Sequence, residues 1–125
     1  MADESVFGPS QVFDLIQRRA ADIINIKLMK TGGISNAVRV ADIAALYGVQ
    51  CMIGCMLESA ISVAAAVHLA VAKADAITKV DLDGPSLSQF NPVHGGVVFN
   101  ESEITITDAP GLGIVRIDGL EPVPR

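Results

Sequence analysis

Apolar positions along this chain recur at two periods, and the two periods take turns. After Gly8-Pro9-Ser10, a sound helix entry, Val12, Ile16 and Ala20 return at helical spacing and predict a first helix. In INIKLMKTGG, residues 24–33, Ile24, Ile26 and Leu28 alternate with Asn25 and Lys27, the period of a buried strand. Lys27 arrives just where that strand ends and a glycine pair follows. From Ile34, the positions Ala37, Val38, Ala41 and Ala45 restore the helical period, and Gly48 closes that helix. VQCMIGCM reads as a short apolar strand. Ser59 is placed to cap an alanine-rich helix that runs to about Lys73. AITKVDLDG is a third strand, ending at Asp83-Gly84.

Strands that alternate with helices imply parallel pairing and right-handed crossovers, hence an α/β fold. After Gly84 the pattern changes: VVFN, EITI and PGLGI read as short strands and turns, and Pro122 and Pro124 fall in a frayed tail. In parallel α/β folds the carboxyl ends of the strands gather on one rim, where chemistry is usually placed. Asp3 and Glu4 precede the first helix, Lys27 ends one strand, and Asp81 and Asp83 end another. The two aspartates are two apart, so both can face one side of their strand.

The totals narrow the classes. The 125 residues suffice for one domain, and the net charge is −5 from nine basic and fourteen acidic side chains. No basic cluster with interleaved aromatics is present, which argues against a nucleic-acid partner. Cys51 and Cys55 form neither a CxxC pair nor a disulfide framework, and the start MADES is acidic, so a reducing, cytoplasmic setting is expected. Half the residues are hydrophobic, yet the longest apolar run, AISVAAAVHLAVA, suits a buried helix better than a bilayer span, so no membrane association is expected. An apolar surplus in so short a chain points to a homo-oligomer or a complementary partner segment.

ADES, INIKLMKTGGI, CMIGCMLES and KVDLD, in this order and spacing, resemble the carboxyl half of an enolase-superfamily barrel. Within that superfamily the chain is most similar to the dipeptide epimerases of the muconate-lactonizing subgroup, of the L-Ala-D/L-Glu epimerase type. PVHGG and APGLGI are similar to the same family's C-terminal segment. The resemblance implies the C-terminal half of a modified (β/α) TIM-type barrel: residues 1–84 a partial barrel, residues 85–125 a strand-and-turn segment of the same domain. It further implies Mg²⁺ held by three carboxylates and two lysines that move the α-proton of a dipeptide's C-terminal residue. By that resemblance Asp3 is a metal ligand with Glu4 beside it, and Lys27 is one acid/base lysine. Asp81 and Asp83 bind the substrate ammonium, while Cys55 and Met56 line the substrate pocket. The chemistry is coherent, because an α-proton beside a carboxylate is weakly acidic and its enediolate needs a nearby cation; a lysine near a divalent cation can also have its pKa depressed.

The resemblance places the second lysine and two metal carboxylates on earlier strands that these residues do not include. A full barrel takes about 250 residues, so the chain reads as half an enzyme, inactive alone and awaiting its complementary N-terminal half. The other reading is a non-catalytic, self-associating half-barrel with inherited site residues. Lys30 reads as a solvated loop charge, and Glu58 as a residue that caps or pairs near a helix start. His68 reads as a packed, hydrogen-bonded histidine, and His94 as a loop residue without a metal-ligand partner. Cys51 and Cys55 read as small strand residues rather than nucleophiles. KTGG before a helix is a weak anion-binding signal.

Overall fold

The structure is a computed structural model that describes residues 1–121. Its centre is a three-stranded parallel sheet, ordered β1 (Ile23–Lys27), β2 (Gln50–Gly54) and β3 (Ile77–Asp81). Ala2 adds a further parallel bridge to Ile24, with the Ala2 amide donating to Ile23 O and the Asn25 amide to Ala2 O, both at 2.8 Å. Ala2 is thus docked beside β1 as an isolated bridge, and the outer edge of β3 carries no strand partner among the described residues.

Helices α1 (Pro9–Gln17), α3 (Ile34–Leu46) and α4 (Ala60–Ala72) cover one face. Proline at the first turn of α1 is tolerated because that N–H has no intrahelical partner. Strand alternation sends Ile24 and Ile26 of β1, with Cys51 and Ile53 of β2, into one core with Ala37, Val40, Ala41 and Ala44 of α3 and Val63 and Val67 of α4. Small residues along α3 and α4 let helix and sheet approach closely, and α4, apolar on nearly every side, is accordingly the most buried helix. None of the helices among the described residues is long and apolar enough to cross a membrane.

The expected strand through Leu28 stops one residue earlier. Leu28–Thr31 instead forms a single helical turn, α2, because the Thr31 hydroxyl donates back to Lys27 O at 3.2 Å and Gly32 closes the turn in the left-handed region at φ 74°. Beyond β3, Gly84–Leu87 is a 3₁₀ turn. Two antiparallel ribbons follow, β5 (Val98–Asn100) with β6 (Glu103–Thr105), and β4 (Val93–Gly95) with β7 (Ile114–Ile117). The ribbon β5–β6 lies within VVFN and EITI. PGLGI, however, is mostly turn, with β7 starting at Ile114, and His94 stands in β4 rather than in a loop. There it faces Arg116, and its Nε2 donates to Asp118 at 2.7 Å. The tail assigned to Pro122 and Pro124 lies outside the described residues.

Candidate active site

The strand register builds the site. Lys27 of β1 lies opposite Gly54 of β2, and Gly54 lies opposite Asp81 of β3, so the three form one rank at the carboxyl ends of the strands. Neighbouring strands stand about 4.8 Å apart, which puts the backbones of Lys27 and Asp81 roughly 10 Å from each other. Gly54 leaves the middle of that rank without a side chain. Its absence of Cβ is needed, since one there would stand 2.8 Å from Asn25 Oδ1. Asn25 itself is 2% exposed, on the same sheet face as Lys27, and its Oδ1 is buried without a hydrogen-bond partner among the described residues.

At the β1 end, Asp3, Glu4, Lys27 and Lys30 meet. Lys27 Nζ stands 3.2 Å from Asp3 Oδ2 and 3.5 Å from Glu4 Oε1, while Lys30 Nζ is ion-paired with Asp3 Oδ1 and donates to the Asp3 carbonyl. The expectation that Lys30 is a solvated loop charge is therefore corrected: its side chain is 6% exposed. The α2 turn causes this, because residues three apart on a helical turn share a face, so Lys30 swings back beside Lys27. That spacing was visible in the sequence, but the turn that gives it meaning was not.

The electrostatics follow from these contacts. Burial pushes the Asp3 carboxyl up, but hydrogen bonds from Lys30, Lys27 and Asn25 outweigh it and hold the group below the ordinary 3.8. Burial works against the charged form of Lys27, but the hydrogen bond and charge of Asp3, with Glu4, hold the ammonium above the ordinary 10.5. With its own neighbours Lys27 is thus a proton donor.

The second cluster lies at the ends of β2 and β3. Asp81 and Asp83 are exposed with buried Leu82 between them, and Cys55 Sγ is 3.9 Å from Asp83 Oδ1. Burial raises the Cys55 thiol pKa, and Asp83, Glu58 and Asp81 add to this. Met56 is exposed beside it. A hollow of about 610 Å³ opens along the outer edge of β3, with Val71, Val80, Phe99 and Ile104 on its walls and Asp81, Asp83 and Glu101 at its polar side. It does not include Lys27 or Asp3, so it is a neighbour of the rank rather than its floor. Ser59 sits at the N-cap of α4 without a side-chain cap. Glu58 does not cap it either: its carboxylate accepts the Met56 N–H, ahead of the helix, at 2.9 Å and the Ser62 hydroxyl, so it pairs near the helix start. His68 is a packed helix residue whose Nδ1 donates to Ala64 O at 2.8 Å.

Mg²⁺ asks for several converging oxygens in near-octahedral order. Asp3 offers one carboxylate whose two oxygens face two ammonium groups, and no group of three or more His, Cys, Asp or Glu converges among the described residues. These residues do not make a Mg²⁺ site by themselves.

A family model described as enolase C-terminal domain-like matches residues 1–118. The chain belongs to that family. It is 55% identical over 118 residues to the L-Ala-D/L-Glu epimerase of Clostridium acetobutylicum, an alignment covering 94% of this chain and 33% of that protein. A substrate-liganded L-Ala-D/L-Glu epimerase from Bacillus subtilis superposes with a TM-score of 0.90 at 45% identity, covering 94% of this chain and 32% of that one. The dipeptide epimerase from Methylococcus capsulatus, complexed with Mg and the dipeptide L-Arg-D-Lys, gives 0.88 at 44% identity, covering 92% and 32%. The chain therefore spans about a third of the length of the relatives it matches. Its sheet and helices are the C-terminal half of an enolase-superfamily TIM-type barrel, parallel strands alternating with helices and followed by a short β-rich tail.

Proposed function

We propose that this chain is the C-terminal catalytic part of a Mg²⁺-dependent dipeptide epimerase. The observation that carries the reading is the rank Lys27–Gly54–Asp81, a cation and an acid at opposite ends of a clear span. Two extended residues reach at most about 7 Å, comparable to the roughly 10 Å between the two backbones, so a dipeptide laid across the strand ends can meet side chains from both ends of the rank. Asp81 and Asp83 take the substrate ammonium, which fixes the direction of the chain and favours a dipeptide over a simple acid. Cys55 and Met56 line the pocket between. Lys27 then faces the α-carbon of the second residue, where it exchanges the proton on one face of an enediolate. In the whole protein Asp3, with Glu4 beside it, would be one of the residues that hold Mg²⁺, which would supply positive charge to stabilise the substrate carboxylate. The lysine for the opposite face comes from the complementary N-terminal part, so the 125 residues alone are expected not to epimerise.

The test is exchange of the α-proton in D₂O with Mg²⁺, followed by proton NMR on L-Ala-L-Glu and L-Ala-D-Glu. Complemented with the N-terminal part of a relative, the chain should exchange and epimerise, and Lys27→Ala should abolish its share. A folded, Mg²⁺-loaded complex that epimerises no dipeptide overturns the reading.

One observation favours a second reading. The outer edge of β3 is unpaired among the described residues, and Leu57, Phe90, Val115 and Leu120 are at least 70% exposed, as in a fragment that closes by self-association. Sedimentation showing a monomer with little hydrophobic-dye binding at micromolar concentration would contradict it.

A further inference from the structure

Glu58 is an acid that the proposed reaction does not use, yet it is 7% exposed in a chain whose other carboxylates all reach solvent. Its two oxygens are spent within its own turn, one on the Met56 N–H at 2.9 Å and the other on the Ser62 hydroxyl. This ties the turn after β2 to the first turn of α4. The same turn is the seat of Gly84. A Cβ at Gly84 would stand 3.2 Å from Met56 O, 3.3 Å from Glu58 O and 3.4 Å from Cys55 Sγ, so the segment after Asp83 lies flush on the backbone that Glu58 holds. Cys55 Sγ completes the contact at 3.9 Å from Asp83 Oδ1.

We propose that Glu58 is a positioning residue for the acidic lip: by fixing the 55–58 turn on which Gly84 docks, it sets where Asp83 and Asp81 stand. The inference rests on the proposed function only for what the lip binds; the clamp itself is a matter of contacts within this chain. A buried carboxylate is costly unless its oxygens are used, and here both are used on the backbone and helix beside the lip rather than on substrate. Gly84 matters as much as Glu58, because a side chain there would lift the aspartate-bearing segment off the turn. Neither residue touches the reacting atoms.

Cys55 reports the clamp without any substrate. Iodoacetamide labelling of the 125-residue chain, mapped by peptide mass spectrometry, gives its rate beside that of Cys51, which is fully buried and whose thiol burial pushes up to about 11. Glu58→Gln removes the charge but keeps an acceptor and the shape, so it controls for the electrostatic effect of Glu58 on the thiol. Glu58→Ala should label Cys55 about threefold to tenfold faster than Glu58→Gln, the scale of one or two lost hydrogen bonds expressed as local opening. Gly84→Ala should do the same with Glu58 intact. Cys51 should stay unlabelled in all of them. Equal Cys55 rates in Glu58→Ala and Glu58→Gln, with Gly84→Ala unchanged, overturn the proposal. If Glu58→Ala exposes Cys51 as well, Ser62→Ala, which removes one hydroxyl only, replaces it: faster Cys55 labelling supports the clamp, and an unchanged rate overturns it. A separate arm adds L-Ala-L-Glu to the complemented chain. Protection of Cys55 that vanishes in Asp83→Asn supports the ammonium role of the lip, and absence of protection counts against that role while leaving the clamp result standing.

Discussion

Replacing Lys30 by methionine should undock the N-terminal segment, bridged to β1 at Ala2, before it unfolds the rest. Lys30 is 6% exposed at the side chain and gives its ammonium to both the carboxylate and the carbonyl of Asp3. Methionine keeps most of the volume, so the loss is electrostatic. Exposed ion pairs contribute about 0–1 kcal/mol, and breaking a fully buried one costs about 3–5 kcal/mol because a charge is left alone. This pair lies between those limits: Asp3 is 32% exposed and keeps Lys27 at 3.2 Å, so it is not stranded. The expected cost is about 1–2 kcal/mol.

The cost should be local. The Asn25 amide donates to Ala2 O, whereas the Cys51 amide donates to Ala76 O at the far side of the sheet. Amide hydrogen exchange followed by NMR should show Asn25 exchanging about fivefold to thirtyfold faster in Lys30→Met, the factor equivalent to that cost, with Cys51 unchanged. Urea unfolding should show only a small fall in midpoint. If the two amides accelerate together, Lys30 supports the whole fold and not the N-terminal segment alone. If neither moves, the ion pair contributes nothing and the reasoning fails.

Gly54→Ala should destabilise the chain by about 1–3 kcal/mol, because its Cβ meets the buried Asn25 carboxamide, and the penalty should largely vanish in an Asn25→Ala background; additive effects in a urea double-mutant cycle would refute that contact. Asp3 and Asp118 are both held below the ordinary 3.8, Asp3 by the lysines and Asn25 against the upward push of burial, and Asp118 chiefly by the hydrogen bond from His94. Their contribution to stability is therefore complete above the unfolded-state value and lost as pH falls through the lower folded values; acid unfolding should begin at higher pH in Asp3→Asn, measured by circular dichroism. Gly95→Ala should cost about 2–4 kcal/mol, since φ is +82° and a Cβ would strike Gly113 O across the β4–β7 ribbon; a midpoint unchanged in urea would show that the ribbon contributes little.

The alternating helix and strand periods were legible because the core uses them directly: Ile24, Ile26 and Ile53 face the helices, and the alanines of α3 and α4 face back. What the pattern missed was decided by contacts distant in sequence or by a single turn. Leu28 continues the alternation of β1 perfectly well, and only the Thr31 hydroxyl and the left-handed Gly32 turn it into a helix. That one turn converts Lys30 from a surface charge into the anchor of Asp3. Likewise β4 holds a single buried apolar residue, Val93, and its partner strand begins nearly twenty residues beyond its end, so no local period could reveal it.

The candidate site shows the same division between residue type and state. Lys27 could be picked out because a charge at the end of a buried strand needs a reason, and the two aspartates because they end a strand on the same rim. The protonation of Lys27 could not, because it depends on how Asp3 and Glu4 are held against it. Those carboxylates keep the lysine an acid, while Lys30 and Asn25 keep Asp3 in place to do so. Whatever competes for the oxygens of Asp3 weakens that hold and moves Lys27 toward a base. The proton affinity at the Lys27 end of the rank is therefore tied to Lys30, the partner of Asp3. Lys30 thereby acts on Lys27 through Asp3, without a contact of its own to that lysine's ammonium.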